Sequence, residues 1–159
     1  MSVNIEQKER LEQLKRKNRE ERCKKEIENN ILFLECKAAL GTAGKLLGKE
    51  EKNIVYCAFK ERIPFLPWGV DWEQFDSFQK VNEMEEILQK CKCKDFYIIW
   101  CDKLPIIKSD IFTIISNIDD VCAVEADTWL FSEDYNEIIE FYHEGTITFG
   151  MIKNGKEES

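Results

Sequence analysis

Residues 121–152, with the sequence VCAVEADTWLFSEDYNEIIEFYHEGTITFGMI, decide the fold of this chain. They contain three runs rich in β-branched and aromatic residues, which is the composition of β-strands, at 121–131, 137–143 and 146–152. Between the last two runs, Glu144-Gly145 predicts a tight two-residue hairpin turn. We therefore expect antiparallel neighbouring strands in this part of the chain.

Upstream of this stretch, a further strand and several helices are predicted. Residues 96–101, FYIIWC, are apolar on both faces, which is typical of a central strand. Apolar residues at helical spacing, with stop and cap residues at the ends, predict helices over 31–40, 49–62, 83–91 (capped by Asn82, with Glu85 at its third position) and 110–117 (capped by Ser109). The fold class expected is α+β, with N-terminal helices followed by a mostly antiparallel β-sheet with one or two packed helices.

Charge divides the chain into parts. Residues 1–28 hold nine Lys/Arg and seven Asp/Glu at spacings that favour a solvated helix, whereas residues 29–159 carry a net charge of −10. We expect a charged helical extension at 1–28, a single acidic α+β domain at 29–152 and a disordered C-terminal tail at 153–159.

Several classes of protein are excluded by composition. No apolar run approaches the roughly 20 residues of a membrane span, and the charged N-terminus does not resemble an export signal. The expected location is therefore cytoplasmic, with the seven cysteines reduced and no membrane partner.

Signatures of catalysis and of metal binding are lacking. The close pair Cys91 and Cys93 has no second pair to complete a zinc site, and the phosphate-binding and hydrolase motifs do not occur. The single histidine, His143, lies beside the predicted turn, where a hydrogen-bonded strand-end role is the simpler interpretation. We expect no metal, no cofactor and no enzymatic activity.

The distribution of charge points to a protein partner. Residues 109–152 contain ten carboxylates and no Lys or Arg. A surface with one sign of charge suits a partner of the opposite sign and repels the phosphates of nucleic acid. The sequence thus predicts a basic protein as partner and no direct contact with nucleic acid.

Alternation within 121–131 would place carboxylates beside aromatic side chains on one strand face, at Glu125, Asp127, Trp129 and Phe131. Such a row could bind Arg or Lys side chains of a partner. The alternative is that a neighbouring helix covers the two aromatic residues, which are more often buried than exposed.

Four further residues have two interpretations each. The expected two-residue turn places Glu140 opposite Phe149 on an apolar face, where a carboxylate needs a partner or marks a site, unless a register slip moves it to solvent. Trp68 and Trp72 could contact a partner or form a buried plug, which tryptophan's preference for burial favours. Asp102 could belong to a site, although a turn acid after the central strand is the simpler interpretation.

Three blocks carry a resemblance to a known family: PFLPWGVDW at 64–72, YIIWCDKLPIIKSD at 97–110, and DDVCAVEADTWLFSEDYNEIIEFYHEGTITFG at 119–150. Together they resemble immunity proteins of bacterial contact-dependent growth inhibition systems. The resemblance implies a small cytosolic protein that binds the C-terminal toxin domain of a neighbour's surface effector. Such toxins are often nucleases, and the immunity protein blocks their active site or their access to substrate.

Combined with the resemblance, the residue patterns give a candidate set of toxin-binding residues: Trp68, Trp72, Glu125, Asp127, Trp129, Glu133, Asp134, Glu140 and His143. The hypothesis is a non-enzymatic antitoxin that neutralises a basic toxin through an acidic-aromatic surface, and the same resemblance implies that this toxin is a nuclease. The alternative is an intracellular adaptor that uses the charged helix at 1–28.

Overall fold

The computed structural model describes residues 5–28 and 30–152. The predicted disordered tail at 153–159 lies outside these residues. The helices are α1 (Ile5–Glu28), α2 (Ile31–Leu40), α3 (Lys49–Arg62), α4 (Met84–Lys90), α5 (Ile111–Ser116) and α6 (Ile118–Cys122), with 3₁₀ turns at Gly41–Ala43 and Trp72–Gln74. The strands are β1 (Lys45–Leu46), β2 (Phe65–Leu66), β3 (Gly69–Val70), β4 (Ser77–Val81), β5 (Asp95–Ile99), β6 (Ile107–Asp110), β7 (Thr128–Ser132), β8 (Glu137–Phe141) and β9 (Ile147–Met151).

Seven of the strands form one antiparallel sheet in the order β1-β6-β5-β7-β8-β9-β4, and β2 and β3 form a separate small hairpin. The predicted α+β class is confirmed. Strand β5 lies between β6 and β7, as its apolar sequence predicts for a central strand.

Helices α2 and α3 have the bounds that the sequence predicts. Asn30 caps α2, because its side-chain oxygen accepts a hydrogen bond from Phe33 N at 2.9 Å. The helix ends at Gly41, whose positive φ of 59° is easily adopted by a residue without a Cβ.

Both faces of the sheet are covered. One face packs against α2, α4, α5 and α6 through a core that includes Phe33, Ile87, Ile114, Leu130 and Ile139. The opposite face packs against α3 and the β2–β3 hairpin through Val55, Phe59, Val70, Phe131 and Ile138. This double cover explains why β8 is buried along its whole length.

Two helix caps differ from the prediction by one residue. Helix α4 is capped by Glu83, which forms a capping box with Glu86, instead of by Asn82 with Glu85. Helix α5 is capped by Asp110, which accepts from Thr113 N at 2.9 Å and from Thr113 Oγ1 at 2.7 Å. Ser109 is buried at the end of the preceding strand and cannot serve as the cap.

The predicted strand over 121–131 is wrong in its first half. The first two residues of this run, Val121 and Cys122, belong to α6, and the strand begins only at Thr128. Asp119 and Asp120 in the first turn of α6 favour helix at this point, since carboxylates are stabilised near a helix N-terminus. The helix is also tied to the sheet by the indole of Trp100, which donates to Val121 O at 2.9 Å.

The predicted turn between β8 and β9 is wrong by one residue. Tyr142 N donates to Thr146 O, so three residues form the loop, and Gly145 adopts a φ of 95°. Three-residue hairpin loops commonly place glycine in such a conformation. In the resulting register Glu140 pairs with Thr148 and not with Phe149.

Candidate functional site

A cleft of about 260 Å³ opens where α3 and the β2–β3 hairpin meet the ends of β5 and β7. We call it the aromatic cleft. Its lining consists of Tyr56, Phe59, Lys60, Phe65, Pro67, Trp68, Gly69, Ile99, Trp100, Cys101, Asp102, Asp127 and Trp129. Trp68, in the hairpin turn, is 61% exposed, so it is not the buried plug that the sequence favours.

The walls of the aromatic cleft are fixed by ring packing. Phe59 lies at the centre, with its ring centroid 5.4 Å from Phe65, 5.9 Å from Trp129 and 5.6 Å from Phe131. Phe65 and Trp129 meet edge to face at 5.6 Å. Such edge-to-face pairs add stability beyond the area they bury, and this network makes the walls a rigid surface. Phe131 is fully buried beneath α3, as the alternative interpretation of the strand proposed.

Two carboxylates flank the aromatic walls. Asp127 is half-buried just before β7, and its Oδ1 atom accepts from His143 N at 2.7 Å and lies 3.0 Å from His143 Nδ1. Asp127 therefore holds the β8–β9 loop at the end of the cleft. Asp102 is exposed in the turn that follows β5, so the turn interpretation is right, and the same turn places Asp102 in the lining.

The cleft is also bordered by cations of the chain itself. The ammonium group of Lys60 lies 4.9 Å from the ring centroid of Phe65 and 5.6 Å from that of Tyr56. Lys52 Nζ donates to the backbone carbonyl of Asp102 at 2.6 Å. Burial, together with the nearby charge of Asp102, raises the pKa of the Tyr56 hydroxyl. Tyr56 therefore remains a neutral ring beside the Lys60 ammonium group.

Beneath the cleft, Glu140 joins three segments of the chain. It is 4% exposed, and its carboxylate accepts from Val70 N at 2.9 Å, Trp72 Nε1 at 3.1 Å and Trp129 Nε1 at 3.0 Å. Hydrogen bonds from three donors satisfy a carboxylate that would otherwise be costly to bury. We call Glu140 with these three donors the Glu140 joint.

Two glycines allow the groups of the Glu140 joint to pack closely against one another. A Cβ on Gly69 would lie 3.0 Å from Glu140 Oε2. A Cβ on Gly150 would lie 2.4 Å from Cζ3 of Trp72, closer than atoms can approach without displacement. The segment that carries Trp68 is thus fitted closely onto the sheet.

The remaining predicted site residues lie elsewhere. Glu133 and Asp134 are in the β7–β8 turn, about 20 Å from Asp127 along the strand at roughly 3.3 Å per residue. Glu133 forms an ion pair with Lys108, and Asp134 accepts from Ser132 Oγ at 2.7 Å and Asn136 N at 3.0 Å. Glu125 is exposed in the segment between α6 and β7. Their roles in toxin binding stay predictions.

The structure therefore brings Trp68, Asp127, Trp129 and His143 to one site, with Trp72 and Glu140 supporting it from below. Sequence reasoning missed Tyr56 and Lys60, which lie four residues apart on α3. That spacing places two side chains on one helix face and could have been noticed. It missed Phe65 because the extended segment at 64–72 gives no sign of what it packs against.

Within 5–28 and 30–152, no group of three or more His, Cys, Asp or Glu is arranged to hold a metal ion. Over the same ranges, no helix combines the length and hydropathy that crossing a membrane requires.

Comparison with known protein families gives a match over most of the chain. A family model described as "CdiI immunity protein EcoliA0-like" matches residues 30–150. No curated protein matches the chain. The matched range contains every residue that lines the aromatic cleft and begins after α1.

Proposed function

Since this chain belongs to the EcoliA0-like family of CdiI immunity proteins, which neutralise cognate toxins, we propose that it binds its toxin through the aromatic cleft. The observation that carries the proposal is the position of Asp102 and Asp127 beside the walls formed by Tyr56, Trp68 and Trp129. In this arrangement a basic segment of the toxin places its charge near the carboxylates and its apolar parts on the rings.

The charge of the domain supports this arrangement. Residues 29–159 carry a net charge of −10, and complementary fields accelerate the encounter of two proteins and reject partners of the wrong sign. We infer that the toxin is basic, as a nuclease must be at the surface that holds phosphates. Carboxylates that occupy that surface would exclude the substrate.

The shape of the site supports binding through a few anchoring side chains. Interface hot spots are enriched in tryptophan, tyrosine and arginine, and they lie where water is excluded. Trp68 provides an exposed ring at the rim of the cleft, while Trp129 and Phe65 form half-buried walls. A toxin side chain that enters between them would be shielded from water.

We infer that protection arises from binding alone, without catalysis, and that it operates in the cytoplasm. The carboxylates of the cleft serve as acceptors and charges in this scheme. The adaptor hypothesis for residues 1–28 stays a prediction, and the matched family range does not include those residues.

The experiment compares Asp127→Asn with Glu133→Gln. Asp127 directly precedes β7 and Glu133 directly follows it, so each variant removes one negative charge from an end of the same strand. Each also keeps an oxygen that can accept the existing hydrogen bond. Because Asp127 lies in the cleft and Glu133 lies about 20 Å away along the strand, we expect Asp127→Asn to weaken binding about tenfold and Glu133→Gln about twofold.

The measurement is stopped-flow association with the purified cognate toxin domain at several salt concentrations, followed by dissociation of the complex. Both variants should lower the association rate constant at low salt, and Asp127→Asn should also accelerate dissociation. Equal effects of the two substitutions on dissociation would contradict binding at the cleft.

A further inference from the structure

We infer that the aromatic cleft is a binding site for one cationic side chain of the toxin, and that Lys60 occupies the same ring faces in the free protein. This inference rests on the proposed function, and it adds the chemistry of the anchor and a residue that competes with it. When the toxin binds, its arginine or lysine takes the place of Lys60 on these ring faces.

The first support is the position of the Lys60 ammonium. Its distances of 4.9 Å to the Phe65 ring and 5.6 Å to the Tyr56 ring lie within the roughly 6 Å over which an aromatic face attracts a cation. The free protein thus already shows which ligand chemistry these rings accept. Lys60 is exposed, so the lysine can leave the rings without breaking a buried contact.

The second support is size. Small-molecule sites commonly have volumes of roughly 300–1,000 Å³, and the cleft holds about 260 Å³. The cleft is therefore suited to a single side chain. An arginine fits this description best, because its planar guanidinium stacks on aromatic faces and also pairs with a carboxylate.

The third support is charge. Asp102 and Asp127 both line the cleft, so a cation on the rings lies near two carboxylates. Lys52 bonds the backbone carbonyl of Asp102. Lys60 also borders a second cavity of about 500 Å³, which is lined by Glu61, Gln74 and Ile152 among others. This cavity can accept the Lys60 side chain when the toxin displaces it from the rings.

The chain offers a matched control for Lys60. Arg62 lies two residues further along α3, and its guanidinium rests 5.4 Å from the ring of Tyr135, outside the cleft. Lys60→Ala and Arg62→Ala each remove one positive charge from the same helix, together with its ring contacts, which are two for Lys60 and one for Arg62. Their long-range effects on a basic toxin are therefore alike, and only Lys60→Ala vacates the cleft.

The first measurement is the dissociation constant of the full-length variants for the cognate toxin domain. We expect Lys60→Ala to bind about threefold more tightly than Arg62→Ala, which is the size of an exposed cation–ring interaction. Equal affinities, or weaker binding by Lys60→Ala, would overturn the inference.

The second measurement uses a defined probe, the peptide acetyl-Gly-Arg-Gly-amide, and the same peptide with neutral citrulline in place of arginine. Binding is followed by the NMR signals of the Trp68 and Trp129 indole N–H groups. We expect the arginine peptide to shift these signals, at lower concentration in Lys60→Ala than in Arg62→Ala, and the citrulline peptide to have little effect. Equal shifts with both peptides would show that charge is not recognised.

These outcomes separate the inference from the proposed function. If Asp127→Asn does not weaken toxin binding selectively, the cleft is not the toxin site and the proposed function fails. If Asp127→Asn does weaken binding while Lys60→Ala and Arg62→Ala behave alike, the toxin uses the cleft without replacing Lys60.

Discussion

Trp129 and Glu140 face each other across strands β7 and β8, and the indole Nε1 of Trp129 donates to Glu140 Oε2 at 3.0 Å. The same carboxylate accepts from Val70 N and from Trp72 Nε1. One buried side chain thereby connects the sheet to the segment that carries Trp68. The position of the exposed rim of the aromatic cleft depends on a residue that is itself only 4% exposed.

Glu140→Gln is expected to destabilise the protein by about 2–3 kcal/mol. The substitution replaces a charged acceptor by an amide whose NH₂ group faces N–H donors, and hydrogen bonds to charged groups are the stronger ones. Urea unfolding measures the loss of stability. Tryptophan emission measures the change in environment, since Trp72 and Trp129 are both partners of this carboxylate.

Glu137→Gln is the matched control for that variant. Glu137 lies on the same strand, is 1% exposed, and accepts from Lys92 N and Cys93 N on the opposite face of the sheet. We expect a similar loss of stability with little change in tryptophan emission. A change in emission as large as that of Glu140→Gln would argue against a specific connection between Glu140 and the two indoles.

Gly150→Ala is expected to destabilise the protein by about 1–3 kcal/mol, which is typical of overpacking. The new methyl group would lie 2.4 Å from the Trp72 ring, so the indole must move away from Glu140. Gly48→Ala provides the comparison, because a Cβ at Gly48 meets no atom within 4 Å. In thermal unfolding, the melting temperature of Gly150→Ala should lie well below that of Gly48→Ala. Equal melting temperatures would refute the close fit of Trp72.

Much of the fold could be predicted from local patterns. The bounds of α2 and α3 follow from helical spacing and end signals, and the central position of β5 follows from its apolar faces. The errors arise where two signals compete. The run 121–131 alternates like a strand, but the two aspartates before Val121 and its packing in the core favour helix there.

The site was harder to predict, because its acids are largely used within the fold. Among the ten carboxylates of residues 109–152, Asp110, Asp127, Asp134, Glu137 and Glu140 accept internal hydrogen bonds, and Glu133 pairs with Lys108. A count of charges in the sequence assumes that all of these carboxylates lie on the surface and are available to a partner. Only tertiary contacts distinguish an acid that is buried within the fold, such as Glu137 or Glu140, from one that lines a cleft.

The buried thiols are expected to make the protein less stable in alkali. Burial raises the pKa of Cys36 from 9.0 to about 12, with nearby Asp120 and Cys122 adding to the effect. Because the folded state then holds a proton that the unfolded state releases above pH 9, the free energy of unfolding falls as the pH rises from 9 towards 12. Urea unfolding at several pH values should show a shallower decline in Cys36→Ala, and an unchanged slope would contradict this origin.

Trp68→Ala is expected to separate binding from stability. Trp68 is 61% exposed, so its loss should change the free energy of unfolding by less than about 0.5 kcal/mol, as for most surface substitutions. Toxin affinity should fall at least about tenfold if the ring is a hot spot at the rim of the cleft. Phe112→Ala is the control, since Phe112 is 57% exposed on α5, which packs against the other face of the sheet. An unchanged toxin affinity in Trp68→Ala, or an equal loss of affinity in Phe112→Ala, would show that the toxin does not bind at the aromatic cleft.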